Sequence, residues 1–180
     1  MFFLSSRLCA GDRFFASIGA AGAWPLDSDF REYYGSVQFS PELKVGFTFI
    51  KGFYVWLGYS FFSASYSIPD LLEKTNASQH FIALGVGWES SRKRRLRLDF
   101  FSALLAAGLR EKGLGDSFSE FAPGIQLGAG IRYFFAKKIF MGTALSFSSA
   151  LVELTDTEVT SAGDRFLGGA RLLVNLGARF

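Results

Sequence analysis

From residue 13 to the end of the chain, apolar side chains recur at every second position, the period of a strand with one face in an apolar medium. Eight segments carry this alternation, at about residues 13–24, 37–50, 53–66, 79–89, 96–110, 124–135, 139–151 and 165–180. The fourth is typical: His80, Ile82, Leu84, Val86 and Trp88 fall on one face, Ala83, Gly85, Gly87 and Glu89 on the other. The last, closing on "GARLLVNLGARF", keeps Leu172, Val174, Leu176, Ala178 and Phe180 on one side up to the final residue. The fifth is irregular. "LRLDFF" alternates, but "ALLAAGL" after it is apolar on both faces. A bulge near Phe100 and Phe101 or a partly apolar interior would keep it a strand; a short helix is the competing reading.

The connections alternate in length as well. After the second, fourth and sixth segments they are short: Lys51-Gly52, "SSRKRR" and "AKK". After the first, third, fifth and seventh they are long and polar: "PLDSDFREYYGS", "SIPDLLEKTNAS", "EKGLGDSFSEFAP" and "ELTDTEVTSAGD". Short turns at one end and long loops at the other are the layout of an all-β, eight-stranded antiparallel up-and-down transmembrane β-barrel. Residues 13–180 are expected to form it as one domain, with residues 1–12 as an N-terminal segment, a signal remnant or a periplasmic extension.

Composition decides which face meets which medium. Of 180 residues 22 are Phe and 20 are Gly, and mean hydropathy is +0.24. No stretch approaches the roughly eighteen uninterrupted apolar residues of a spanning helix. The face of smaller residues also carries Glu42, Lys44, Glu89, Arg97, Asp99, Arg132, Arg171 and Arg179. Three acids and five bases do not suit the apolar cavity of a soluble ligand-binding barrel, but they suit a narrow polar lumen in which both signs pair. The large apolar side chains then face lipid. Phe49, Phe53, Trp88, Tyr133, Phe135, Phe140 and Phe180 cluster near the short turns and the chain end, where an interfacial aromatic girdle is expected.

The terminal alternation ending on Phe180 resembles the C-terminal assembly signal of bacterial outer-membrane proteins. With eight strands and the loop pattern, residues 13–180 resemble the small OmpA/OmpX-type barrels. The resemblance implies the bacterial outer membrane as location, recognition by the barrel-assembly machinery through Leu172, Val174, Leu176, Ala178 and Phe180, and closure of the last strand on the first. It implies no particular activity.

Charge separates by end. The long loops hold Asp27, Asp29, Glu32, Asp70, Glu73, Glu111, Asp116, Glu120, Glu153, Asp156, Glu158 and Asp164 against Arg31, Lys74 and Lys112; the short turns hold Lys51, Arg92, Lys93, Arg94, Arg95, Lys137 and Lys138, with no acid. Despite a pI near 9.1, "RKRRLR" reads as a solvated turn beside anionic headgroups rather than a nucleic-acid site. Catalysis would have to use His80, the sole histidine. Outer-membrane lipid A deacylases carry a His-x-Ser pair; here Ile82 occupies the Ser position, while Ser78 and Glu73 are near in sequence without a known spacing. One His and one Cys cannot furnish a zinc site. Cys9 forms no intrachain disulfide, and "SRL" before it argues against a lipoprotein anchor. "GVGWES" and "GAGIRY" lack the full dinucleotide fingerprint. No catalytic residue, cofactor or metal is therefore assigned. The expected protein is a monomeric barrel with a plugged lumen and a structural or surface-interaction role (envelope integrity, adhesion or recognition) through four acidic loops. Its expected partners are membrane lipids, outer-leaflet lipid or lipopolysaccharide, and a host or envelope partner at the loops. The alternatives are an enzyme acting on lipid A or phospholipid and a small-solute pore.

Overall fold

A computed structural model describes residues 13–50, 52–68, 73–90, 94–113, 116–154 and 163–180. The N-terminal segment 1–12, with Cys9, lies outside these residues, as do Asp70, Asp156 and Glu158. The elements in chain order are β1 (Phe14–Pro25), α1 (Ser28–Tyr34), β2 (Gln38–Ile50), β3 (Phe53–Ile68), β4 (Glu73–Glu89), β5 (Leu96–Gly113), β6 (Asp116–Phe134), β7 (Ile139–Leu154) and β8 (Gly163–Arg179). Each strand pairs antiparallel with the next, and β8 returns to β1 to close the barrel. Closure runs from Phe15 opposite Arg179 to Pro25 opposite Gly169 and is extended by the Phe180 N–H donating to the Phe14 carbonyl at 2.9 Å.

The alternation predicts which side chains point out. Leu84 and Leu104 are 64% and 71% exposed, and outward positions on all eight strands are mostly Leu, Ile, Val and Phe. So continuous an apolar band is a surface for a bilayer rather than for water. The outward Phe49, Phe53, Trp88, Tyr133, Phe135 and Phe180 ring the end with the short connections. Phe140 does not join them. It is 1% exposed and lies inside the barrel, because its parity on β7 matches Gly142 and Ala144 rather than Ile139 and Met141. Nearness to a turn was the wrong criterion; the period of two decides the face.

β5 is a strand throughout, in unbroken register with both neighbours, so it needs neither bulge nor helix. Its two-sided apolarity has a cause inside the barrel. Leu105, Ala107 and Leu109 are buried there among Phe62, Phe81 and Leu167. The lumen thus has an apolar patch where the upper part of β5 lines it, beside buried polar groups such as Gln79 and Arg171, and is not polar along its whole length.

The strands also extend beyond the alternating segments. β4 starts at Glu73, β5 runs to Gly113 and β6 starts at Asp116, so Glu73, Lys74, Glu111, Lys112, Asp116, Glu120, Glu153 and Asp164 stand on strands instead of in loops. Antiparallel hairpins continue past the apolar band because each further pair satisfies backbone groups, while outward side chains there need only be polar. The first long connection carries α1, which the alternation did not indicate. Asp27 caps it by accepting from the Phe30 N–H at 3.0 Å, and Gly35 ends it with φ 91°. Phe30 is buried against Phe62 and Tyr34, ring centroids 5.8 and 4.7 Å away, so this short helix packs against the long-connection end of the barrel.

Space inside is found by pairing rings with glycines. Directly across the strand pairs, Phe15 faces Gly46, Tyr54 faces Gly87, Trp56 faces Gly85, Phe101 faces Gly128 and Phe140 faces Gly177. A Cβ at any of these glycines would meet the opposing ring. Gly87→Val is therefore expected to lower stability by about 1–3 kcal/mol through overpacking, read as an earlier urea midpoint for the barrel in lipid vesicles. Val86→Leu on the lipid face should leave the midpoint nearly unchanged.

Candidate functional site in the lumen and on the outer wall

All eight ionisable residues singled out in the sequence are directed into the barrel, where seven form two ion-paired groups and Lys44 stands outside both. At the short-turn end, Glu89 closes β4, Arg97 opens β5, Arg132 lies near the end of β6 and Arg179 ends β8. Strand alternation aims all four inward, and Glu89, 2% exposed, accepts from the three guanidinium groups. Arg97 stands at 2.7 Å, Arg132 at 3.2 Å, and Arg179 makes the third contact across the barrel. Arg132 also meets Asp99 at 2.6 Å and donates to the Tyr54 hydroxyl, which donates to Asp99 at 2.6 Å. Phe134 lies under Arg97 at 3.8 Å. So many strands tied through one carboxylate make a rigid cross-brace.

Farther up, Arg171 of β8 reaches to Glu42 at 3.0 Å, Ser60 at 3.0 Å and Ser40 at 3.3 Å on β2 and β3. Lys44 belongs to neither group by ion pairing. Its ammonium sits 4.0 Å from the centre of the Trp56 ring and 4.2 Å from that of Phe101, held by ring faces. Above these, Gln79 of β4 accepts from the Gly168 N–H of β8 at 3.2 Å. Tyr54, Gln79 and Phe30 were not singled out in the sequence. The first two were readable in principle, since Tyr54 shares the inward parity of Trp56 and Gln79 that of Phe81 and Ala83.

On the outer wall, His80 lies between two polar groups. Nδ1 is 2.8 Å from the Tyr59 hydroxyl and Nε2 is 3.2 Å from Ser78 Oγ, with the rings of Tyr59 and Phe61 stacked alongside. A serine and a histidine are thereby in contact on the face turned to lipid. The third partner is a phenol, not a carboxylate. Among the described residues, no three His, Cys, Asp or Glu side chains converge as metal ligands.

The architecture defines a class: a closed, eight-stranded antiparallel barrel with an apolar outer band and a side-chain-filled interior. Solved structures of bacterial outer-membrane proteins have the same fold. Neisserial surface protein A (NspA) matches with a TM-score of 0.66 at 14% identity, over 92% of this chain and 95% of that one. Ail, the attachment invasion locus protein of Yersinia pestis, solved with the heparin analogue sucrose octasulfate, matches at 0.62 and 12% identity, over 94% and 99%. The outer membrane protein OprG of Pseudomonas aeruginosa matches at 0.62 and 13%, over 94% and 97%. At such identities the shared property is the fold alone. No protein-family model and no curated protein matches the sequence.

Removing Glu89 would leave three guanidinium groups facing one another without their common acceptor. Glu89→Ala should cost about 3–5 kcal/mol, and Glu42→Ala about 2 kcal/mol or less, since Arg171 keeps its serine partners. Urea unfolding of both variants in lipid vesicles checks the order, and equal effects would contradict the central role of Glu89.

Proposed function

We propose that the chain is a bacterial outer-membrane protein whose barrel serves as a closed anchor, with its work done on outward surfaces in envelope integrity, adhesion or recognition. The observation that carries this reading is the filled interior. The Glu89 cluster, the Arg171 group, the rings between them and Phe30 above occupy the lumen at successive levels, and an eight-stranded barrel is only wide enough for its own side chains. The fold shared with NspA, Ail and OprG supports the location. In this reading the chain acts as a monomer, engages the assembly machinery through its last strand, touches outer-leaflet lipid, and needs neither nucleic acid nor cofactor.

The contact between Ser78 and His80 favours, as a second reading, an enzyme acting on lipid. A general base of this kind needs Nδ1–H held by a strong acceptor. With the Tyr59 hydroxyl donating to Nδ1, His80 would carry its proton on Nε2 and would not deprotonate Ser78. Binding is the reading we favour for this cluster.

Planar-bilayer recording separates the anchor from a pore. The protein inserted in a bilayer should give no resolved conductance steps. Steady steps that grow in Arg132→Ala would establish the pore reading in its place.

A further inference from the structure

Along four adjacent strands the outer wall changes from apolar to polar at one register row. Register aligns Phe61, His80, Gly108 and Phe121 in one row across β3, β4, β5 and β6. The next row toward the long connections is Ser63, Ser78, Arg110 and Ser119. Beyond it Ser65, Asn76 and Lys112 align, with Ser65 donating to Asn76 Oδ1 at 2.6 Å. Below the boundary these strands present Leu, Ile, Val and aromatic side chains to lipid. The boundary is therefore where headgroups meet acyl chains.

Two cations stand on that boundary. Arg110 and Lys112 are exposed on the same face of β5, two residues and so about 7 Å apart. Neither has an ion-pair partner among the described residues, and the acids of β4, β5 and β6 at this end, Glu73, Glu111, Asp116 and Glu120, have the opposite strand parity. Their neighbours are hydroxyl and amide groups. Beside this patch, a shallow groove of about 320 Å³ runs down the wall over the backbone of Lys44 and Gly58, lined by Leu43, Val45, Leu57, Tyr59 and Ile82. Tyr59 links groove and patch, because its ring lines the first and its hydroxyl meets His80 in the second.

We propose that this part of the outer wall binds a phosphorylated glycolipid of the outer leaflet, its phosphate between Arg110, Lys112 and Ser78 and one acyl chain in the groove. The inference rests on the outer-membrane reading and names a partner for it. Charge complementarity selects the phosphate, since guanidinium and ammonium groups at a headgroup level bind it through charge-assisted hydrogen bonds. The relay through His80 completes the seat. With Tyr59 donating to Nδ1, the Nε2–H donates to Ser78 Oγ, and the Ser78 proton points to the phosphate. Ser63, Ser65 and Asn76 match the hydroxyl groups of a sugar, which a simple phospholipid lacks. The apolar groove suits an acyl chain, which a free phosphate ion lacks.

The test uses the full chain, folded and reconstituted into phosphatidylcholine nanodiscs that carry either diphosphoryl lipid A or its dephosphorylated form. Lipid retention is read by native mass spectrometry. The diphosphoryl form should be retained about tenfold more than the dephosphorylated one, and the double variant Arg110→Ala, Lys112→Ala should abolish the difference while remaining inserted. Inorganic phosphate should not displace the lipid. Equal retention of both lipids, an unchanged preference in the double variant, or displacement by inorganic phosphate would overturn the proposal while leaving the outer-membrane reading intact. Loss of an acyl chain from bound lipid, absent in Ser78→Ala, would replace binding with hydrolysis. A chain that does not insert into the nanodisc would overturn the outer-membrane reading, and the proposal with it.

Discussion

Every feature of this molecule depends on the pairing of β1 with β8. A sheet in hydrocarbon cannot leave an edge, since each unpaired N–H or carbonyl there costs several kcal/mol. The ladder from Phe15 opposite Arg179 to Pro25 opposite Gly169 removes both edges at once. Closure then forces the strand parity: with an apolar solvent outside, charged and polar groups have only the interior to occupy.

The interior is narrow, and that constraint explains the composition. A ring on one strand is accommodated by a glycine directly across from it, as with Tyr54 and Gly87 or Phe101 and Gly128. This accounts for the glycines opposite the inward rings. Charges enter only in mutually satisfied sets. Glu89 serves three arginines, Arg132 binds both Glu89 and Asp99, and Lys44 rests on aromatic faces. Buried ion pairs add little net stability, because desolvation offsets their attraction. Their contribution here is to tie strands that are not neighbours in the sheet. Such ties resist sliding of register.

Much of this was legible in the sequence because a period of two maps each residue to a face without further information. The inward direction of Glu42, Lys44, Glu89, Arg97, Asp99, Arg132, Arg171 and Arg179 follows from it, as do the outward positions of Leu172, Val174, Leu176 and Phe180. Phe140 was misplaced when nearness to a turn was allowed to outweigh that parity. The strand extensions at Glu73 and Asp116 carried no signal, since outside a bilayer a strand need not alternate. Helix α1 was signalled only by Asp27 and Gly35, too little to separate seven helical residues from a loop. The contact of His80 with Ser78 and Tyr59 was half legible: positions 78 and 80 share a face, but only cross-strand register brings Tyr59 to the ring.

Heat-modifiability on a gel tests the central claim, a closed barrel that folds in an amphiphile, most directly. The protein is folded in detergent and run unboiled and boiled, with far-ultraviolet circular dichroism on the same samples. The account predicts a faster unboiled band with a β spectrum and a slower band after boiling. A single mobility, or a helical spectrum, would contradict it.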